Sequence, residues 1–299
     1  MSCPSFPGCA QTPLEAGSIV GTAPDEEAYL LLELPKPWPA KIKKIEGLVQ
    51  ELRKVLKKHK GFDAKLLGTP GIDWLEPCSE PRALLVRWNG TAAVYQTFPA
   101  TPDKLMEALD SPLPAQTLEC YMVCTHGSRD PCCGLLGVPV YQALAADGNR
   151  PVIQVSHLGG HRFAPVVGVF PEWKFYGRLK PQEFLEMDQA LSKGEPFLRG
   201  YRGSGRLKGY LQVIESRLWE EEGEAPLHLA RLSGEKSEPM VEAVFSDGRK
   251  IQYQARLETL TYQGYKSCKD HRKGKEETLK LSVLKSLTTV SSEAQTAPK

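Results

Sequence analysis

The residues that could do chemistry gather in one part of the chain. Cys124-Thr-His126-Gly-Ser-Arg129-Asp130-Pro131-Cys132-Cys133-Gly134 is followed, a helix and a strand later, by Ser156-His157-Leu158-Gly159-Gly160-His161. Thiolate sulfur and imidazole nitrogen are the donors that zinc and iron–sulfur centres use. Asp130-Pro131 is a good helix start, with Asp accepting backbone N–H groups and Pro suiting the first helical position. Cys132 and Cys133 then fall in the first turn, where unpaired N–H groups and the helix dipole favour thiolate over thiol. Cys124 ends the preceding strand, and His157 follows the next one, so both loops emerge on one edge of a sheet. Gly159-Gly160 lets the backbone fold tightly and return His161 toward His157.

Each pair alone has a plain structural reading. Vicinal cysteines can be buried filler, and two loop histidines can be merely polar. Together on one loop-lined edge they form a candidate metal site: Cys124, one of Cys132 and Cys133, His157 and His161. Zinc accepts two cysteines and two histidines, although the wide cysteine spacing is unusual for it. A 2Fe–2S cluster is larger and suits a wider thiolate span. A third option is a thiol oxidoreductase using Cys132–Cys133 or Cys124–Cys133. A vicinal disulfide is strained, however, and the chain has no Cys-x-x-Cys, so this ranks last.

CTHGSRDPCCG, SHLGGHRFA and Phe175-Tyr176-Gly177-Arg178 together resemble the sucrase/ferredoxin-like family. The similarity runs from Gly21-Thr22-Ala23 and LLLELPKPW to Tyr201-Arg202-Gly203, and weakly to Ser267-Cys268. That family is linked to thioredoxin-like ferredoxins and includes bis-histidinyl, non-Rieske 2Fe–2S proteins. The resemblance implies a cluster held by Cys124, Cys133, His157 and His161, with Cys132 as an alternative thiolate. It implies electron transfer or redox sensing, with no catalytic activity of the chain's own, and a separate redox partner or reductase. Pro165 stands where relatives are expected to have Asn. Sucrase chemistry finds no support, because no acid and nucleophile carboxylate pair is evident.

Two ferric ions and two sulfides carry a double positive charge that two thiolates cancel, so such a centre accepts an electron more readily than an all-cysteine one. Each imidazole keeps a second nitrogen that can bind a proton, which couples reduction to protonation and makes the midpoint potential fall as pH rises. Around the site, Arg129 either stabilises a reduced cluster or pairs with Asp130. His126 reads as a solvent-facing loop residue that could still reach the site, and Arg178 as structural. Cys3, Cys9, Cys78, Cys120 and Cys268 read as ordinary thiols.

The elements that must position these residues give an α/β reading: two tandem thioredoxin-like units plus a small C-terminal α+β module. The expected boundaries are an irregular N-terminal arm (1–26), a unit without ligands (27–112), a unit carrying the cluster (113–193), the module (194–288) and a disordered tail (289–299). In the first unit, strand 28–34, helix 40–60, strand 64–67, a hairpin of 83–88 and 91–98 and helix 103–109 follow in order. The order recurs as strand 118–124, helix 131–146, strand 152–156, a hairpin of 166–170 and 174–176 and helix 181–192. A proline, Pro81 or Pro165, precedes each third strand. Asn89-Gly90 is the strongest turn signal. The module reads as helix 209–219 and strands 227–232, 240–245, 251–259 and 279–283.

The chain has 299 residues, 41% hydrophobic and 25% charged, with a formal charge of +2, so nothing in it calls for nucleic acid or an anionic membrane. Seven lysines between Lys41 and Lys60 read as a solvated helix face. The N-terminal sequence lacks the basic and apolar regions of a secretory signal. A cytoplasmic location and reduced thiols are therefore expected for its eight cysteines. No Walker loop, dinucleotide fingerprint or Ser-His-Asp signature appears.

Overall fold

The computed structural model describes residues 8–10, 18–68 and 81–293. Cys3, Cys78 and the extreme C-terminus lie outside these residues.

A mixed sheet of nine strands forms the centre, in the order β4-β3-β1-β2-β6-β5-β7-β8-β9. Its strands are β1 (Ala28–Glu33), β2 (Phe62–Leu67), β3 (Arg82–Trp88), β4 (Ala93–Pro99), β5 (Cys120–Cys124), β6 (Val152–Val155), β7 (Val166–Phe170), β8 (Lys174–Gly177) and β9 (Tyr201–Ser204). The helices α1 (Leu48–Leu56), α2 (Pro102–Asp110), α3 (Pro131–Asp147) and α4 (Pro181–Ser192) connect them. β1 is parallel to β2 and antiparallel to β3, which pairs antiparallel with β4. β5 repeats this scheme with β6, β7 and β8. The two four-stranded sets meet where β2 and β6 run antiparallel. Ser156 ties this seam, its N–H donating to the Leu66 carbonyl (2.8 Å) and its hydroxyl accepting from Leu66 N–H (2.9 Å).

Side-chain alternation sorts the core. Leu30 and Leu32 of β1 pack with Leu52 and Leu56 of α1, whereas Tyr29 and Leu31 face the other side of the sheet. On β5, Tyr121 and Val123 meet Val140 and Leu144 of α3 and Phe184 of α4. Cys120, Met122 and Cys124 turn to the opposite face with Phe163, Phe170 and Trp173. Each such large apolar side chain contributes about 1.5–3 kcal/mol through burial.

The second sheet is antiparallel, in the order β10-β11-β12-β13. It comprises β10 (His228–Ser233), β11 (Met240–Val244), β12 (Lys250–Gly264) and β13 (Glu277–Glu293), with α5 (Gly209–Glu222) before it and the short α6 (Cys268–Arg272) between its last two strands. α5 joins the two sheets: Leu211, Ile214 and Leu218 pack on the small one, and Trp219 packs in the core beside α3 and α4.

The architecture is α/β as the sequence predicts, with four differences. The helix expected over 40–60 is a 3-10 turn at Ile42–Lys44 followed by α1, because Gly47 between them takes φ +68°. The range 194–288 is not wholly a separate module, since β9 pairs with β8 and completes the large sheet. α6 is an additional element, capped by the Ser267 hydroxyl, which accepts Asp270 N–H at 3.0 Å. The tail expected to be disordered from 289 is strand as far as Glu293, because β13 pairs with β12 along a long ribbon interrupted by two bulges. The backbone ladder there outweighs the Ser/Thr composition.

Candidate metal centre

α3 begins as its sequence predicts. Asp130 is the N-cap, and its Oδ1 accepts Cys132 N–H at 3.0 Å. The helix then runs close under the end of β5. A side chain at Gly137 would place its Cβ 2.1 Å from the Cys124 carbonyl oxygen, so only glycine permits this approach. The close fit brings Cys133 to Cys124, and both are 1% exposed.

The loop after β6 supplies the nitrogen donors. Gly159 (φ +89°) and Gly160 (φ +66°) reverse the chain, a 3-10 turn follows at His161–Phe163, and the His157 and His161 ring centroids lie 5.0 Å apart. His157 Nδ1 is 3.7 Å from Cys133 Sγ. Donor atoms of Cys124, Cys133 and His157 all lie within 4.8 Å of one another. His161 stands beside this trio, outside that distance but ring to ring with His157. Its Nδ1 is buried without a hydrogen-bond partner, while its Nε2 is 3.9 Å from Asp130 Oδ2. A buried unsatisfied nitrogen is costly unless something completes it. The donor set, two buried sulfurs and two half-buried imidazoles at a sheet edge, therefore fits either a 2Fe–2S cluster or a tetrahedral zinc.

The sulfurs are electrostatically unlike. Cys124 is held well below the usual thiol range by hydrogen bonds from the Cys133 thiol and from His157, against the opposing effect of burial. Cys133, sharing its proton with Cys124 and buried, is pushed up. Lys36 lies near this thiolate, with Nζ 2.6 Å from Thr125 Oγ1 and a further bond to Gln154. Burial lowers the Lys36 ammonium, and the Cys124 charge opposes that shift.

Cys132 faces away from this group. Its Sγ is 3.1 Å from Cys268 Sγ and 3.9 Å from Cys9 Sγ. Hydrogen bonds from Cys268 and Cys9 hold it down to about 3. Cys9 and Cys268 are therefore not the isolated thiols the sequence suggests, whereas Cys120 is a buried core residue of β5. Of the vicinal pair, Cys133 is the one whose sulfur groups with Cys124 and His157.

His126 also departs from expectation. It is 2% exposed, its Nε2–H donates to the Pro39 carbonyl at 3.0 Å, and its Nδ1 accepts His157 N–H at 3.3 Å. These bonds fix its tautomer and brace the backbone of His157. The missed signal was the LPKPWP segment, whose Trp38 packs edge-on to the imidazole. Arg129 is exposed, and among the described residues no ion pair joins it to Asp130. Arg178 Nε–H donates to the Arg162 carbonyl at 3.1 Å, the structural part expected of it.

Arg202 was not singled out as a site residue, yet it binds the histidine loop. Buried at 1% exposure, it donates from Nη1 to the Gly159 carbonyl (3.2 Å), from Nε to Thr22 Oγ1 (3.2 Å) and from Nη2 to the Thr22 carbonyl. Its own carbonyl receives the N–H groups of Gly21, Thr22 and Ala23 at 2.9, 3.1 and 3.3 Å. Burial lowers its guanidinium to about 9. A cleft of about 470 Å3 opens beside His126 and His157. Lys41, Lys43, Arg53, Lys65 and Arg129 line it against only Glu26 and Asp63.

The two ends of the region tied together by Arg202 coincide with a family boundary: the sucrase/ferredoxin-like profile matches residues 19–203. The chain belongs to the sucrase/ferredoxin-like family. Relatives of this sucrase/ferredoxin-like chain include two proteins named Altered inheritance of mitochondria protein 32. The one from Meyerozyma guilliermondii is 29% identical over 157 residues, covering 48% of this chain and 52% of that protein. The one from Candida glabrata is 24% identical over 96 residues, covering 27% of this chain and 31% of that protein. The chain thus spans about half or less of the curated relatives it matches. No solved structure matches the chain.

Proposed function

We propose that this sucrase/ferredoxin-like chain binds one 2Fe–2S cluster through Cys124, Cys133, His157 and His161 and serves as an electron carrier or redox sensor. The observation that carries the proposal is the meeting of two buried sulfurs with His157 Nδ1, beside a second imidazole whose buried Nδ1 has no partner. When bound, the cluster supplies a centre that takes up and releases one electron at a time. The chain's own residues do the rest. Cys124 offers a ready thiolate, His126 fixes the His157 backbone, and Asp130 lies within reach of the far nitrogen of His161. Burial keeps water from the sulfurs.

The repeated strand order of the large sheet supports reading it as two thioredoxin-like units, with the cluster in the second. The basic cleft beside His157 suits an acidic face on a redox partner or reductase, which would bring any nicotinamide or flavin chemistry. No described helix is long and apolar enough to cross a membrane. We assign the chain to a reducing compartment, the cytoplasm, on its thiol-rich centre; the relatives' name raises a mitochondrial association as the alternative.

The second reading is structural zinc, favoured by the compactness of the Cys124, Cys133 and His157 donors. Colour separates the two. Anaerobically purified protein should be red-brown, bleach with dithionite and then give an EPR signal from a one-electron-reduced pair of irons. Colourless protein with zinc and no iron at these residues would overturn the cluster.

A further inference from the structure

Beside this centre lies a second group of donors, whose three sulfurs the proposed function does not use. Cys132 comes from the first turn of α3, Cys9 from the N-terminal arm and Cys268 from α6. The last two are 259 positions apart in sequence. Their sulfurs form a triangle with sides of 3.1, 3.6 and 3.9 Å. Asp130 Oδ1 closes the group at 4.0 Å from Cys9 Sγ. Four donor atoms, one from each residue, lie within 4.8 Å of one another.

The surroundings are those of a built site. All four residues are buried, and Ala10 and Ala164 share the apolar cluster of the three cysteines. The arm reaches Cys132 only because residue 8 is glycine: a Cβ there would stand 2.3 Å from Cys132 Sγ. Asp130 is oriented from two sides, with Oδ1 accepting Cys132 N–H at 3.0 Å and Oδ2 accepting Cys268 N–H at 2.9 Å. A disulfide would use only two of the three sulfurs and leave the third, with the carboxylate, buried beside it. A small thiophilic divalent cation would engage all four donors.

We propose that Cys9, Cys132, Cys268 and Asp130 form a second metal site, for one zinc ion in tetrahedral coordination. Zinc suits three sulfurs and one carboxylate, and four protein donors leave no open position, which makes the site structural. Loading releases the remaining thiol protons and involves no change of oxidation state. The ion would fasten the N-terminal arm and the β12–β13 ribbon to the helix that carries Cys133.

The test is metal content of the full chain, grown with zinc and purified anaerobically, as wild type, Cys9→Ser and Cys268→Ser. The expected result is one equivalent of zinc fewer in each variant than in the wild type, with unchanged visible and far-ultraviolet spectra. The difference is read whatever metal the first site holds, so a failed cluster assignment leaves it intact. Equal zinc in all three proteins, or a Cys132–Cys268 disulfide in the anaerobic wild type by mass spectrometry, would overturn the second site. A reading free of substitutions is cobalt(II) exchanged into the wild type. Sulfur-to-cobalt charge-transfer absorption proportionate to three thiolates supports the proposal, and its absence counts against it.

Discussion

Cys132 and Cys133 are consecutive residues whose sulfurs belong to different groups, one 3.1 Å from Cys268 Sγ and the other 3.7 Å from His157 Nδ1. Successive side chains on a helix diverge by about 100°. In the first turn of α3 this divergence is enough to send one thiol toward the sheet edge and the other toward the terminal segments.

The separation predicts opposite outcomes for two otherwise similar substitutions. Cys133→Ser should abolish the visible absorption of the purified protein, while Cys132→Ser should keep it. Iron content and absorbance, measured on the same samples, decide the matter. Loss of colour in Cys132→Ser alone would transfer the ligand role to the other thiol.

Histidine ligation predicts a proton-linked potential. Reduction adds negative charge and raises the proton affinity of the ligating rings, so the midpoint should fall between about pH 6 and 9. Replacing His157 or His161 by Cys adds a thiolate charge. The midpoint should then drop, on the order of hundreds of millivolts when both are changed, and its pH dependence should flatten. Protein-film voltammetry across that pH range is the check, and a flat wild-type profile would exclude imidazole ligands.

Arg202→Lys should destabilise the fold although charge is retained. Lysine cannot reproduce the planar fork that reaches Gly159 and both oxygens of Thr22, and buried acceptors lose their donors. A loss of about 2–3 kcal/mol is expected in urea unfolding. An unchanged midpoint of unfolding would mean that the clamp contributes nothing.

The basic cleft predicts selectivity among small redox probes. Oxidation of the dithionite-reduced protein by anionic ferricyanide should slow as salt is added, and oxidation by a cationic cobalt hexaammine should quicken. Lys41→Glu with Arg129→Glu should reduce the ferricyanide rate by about 10-fold at low salt. Stopped-flow traces at two ionic strengths suffice, and rates indifferent to both would remove the cleft from consideration.

Local signals carried much of this architecture. Asp130-Pro131 announced the start of α3, Asn89-Gly90 the hairpin between β3 and β4, and Gly159-Gly160 the turn that gathers the two histidines. Alternation and helical spacing mark β1 to β8 and the helices between them, except over 40–60, where Gly47 divides the expected helix. Contacts between distant segments left no such mark. Nothing near Cys9 or Cys268 points to the other, because their proximity follows from how the arm and the β12–β13 ribbon close over α3. His126 looked exposed because the residues that bury it, Trp38 and Pro39, lie in another unit. β9 escaped notice because four residues holding two hydrophilic side chains and a glycine give no apolar run, and its partner β8 alone makes it a strand.

The single carbonyl of Arg202 receives three consecutive N–H groups from the N-terminal segment while its guanidinium holds the Gly159 turn. Displacement of the histidine turn would therefore also strain the contacts that tie residues 21–23 to Arg202. A 2Fe–2S cluster held as proposed would therefore sit in a mount that resists rearrangement when an electron arrives. Such a cluster would be expected to exchange electrons with little reorganisation, so that self-exchange between two molecules would be set by their encounter rather than by rearrangement around the sulfurs.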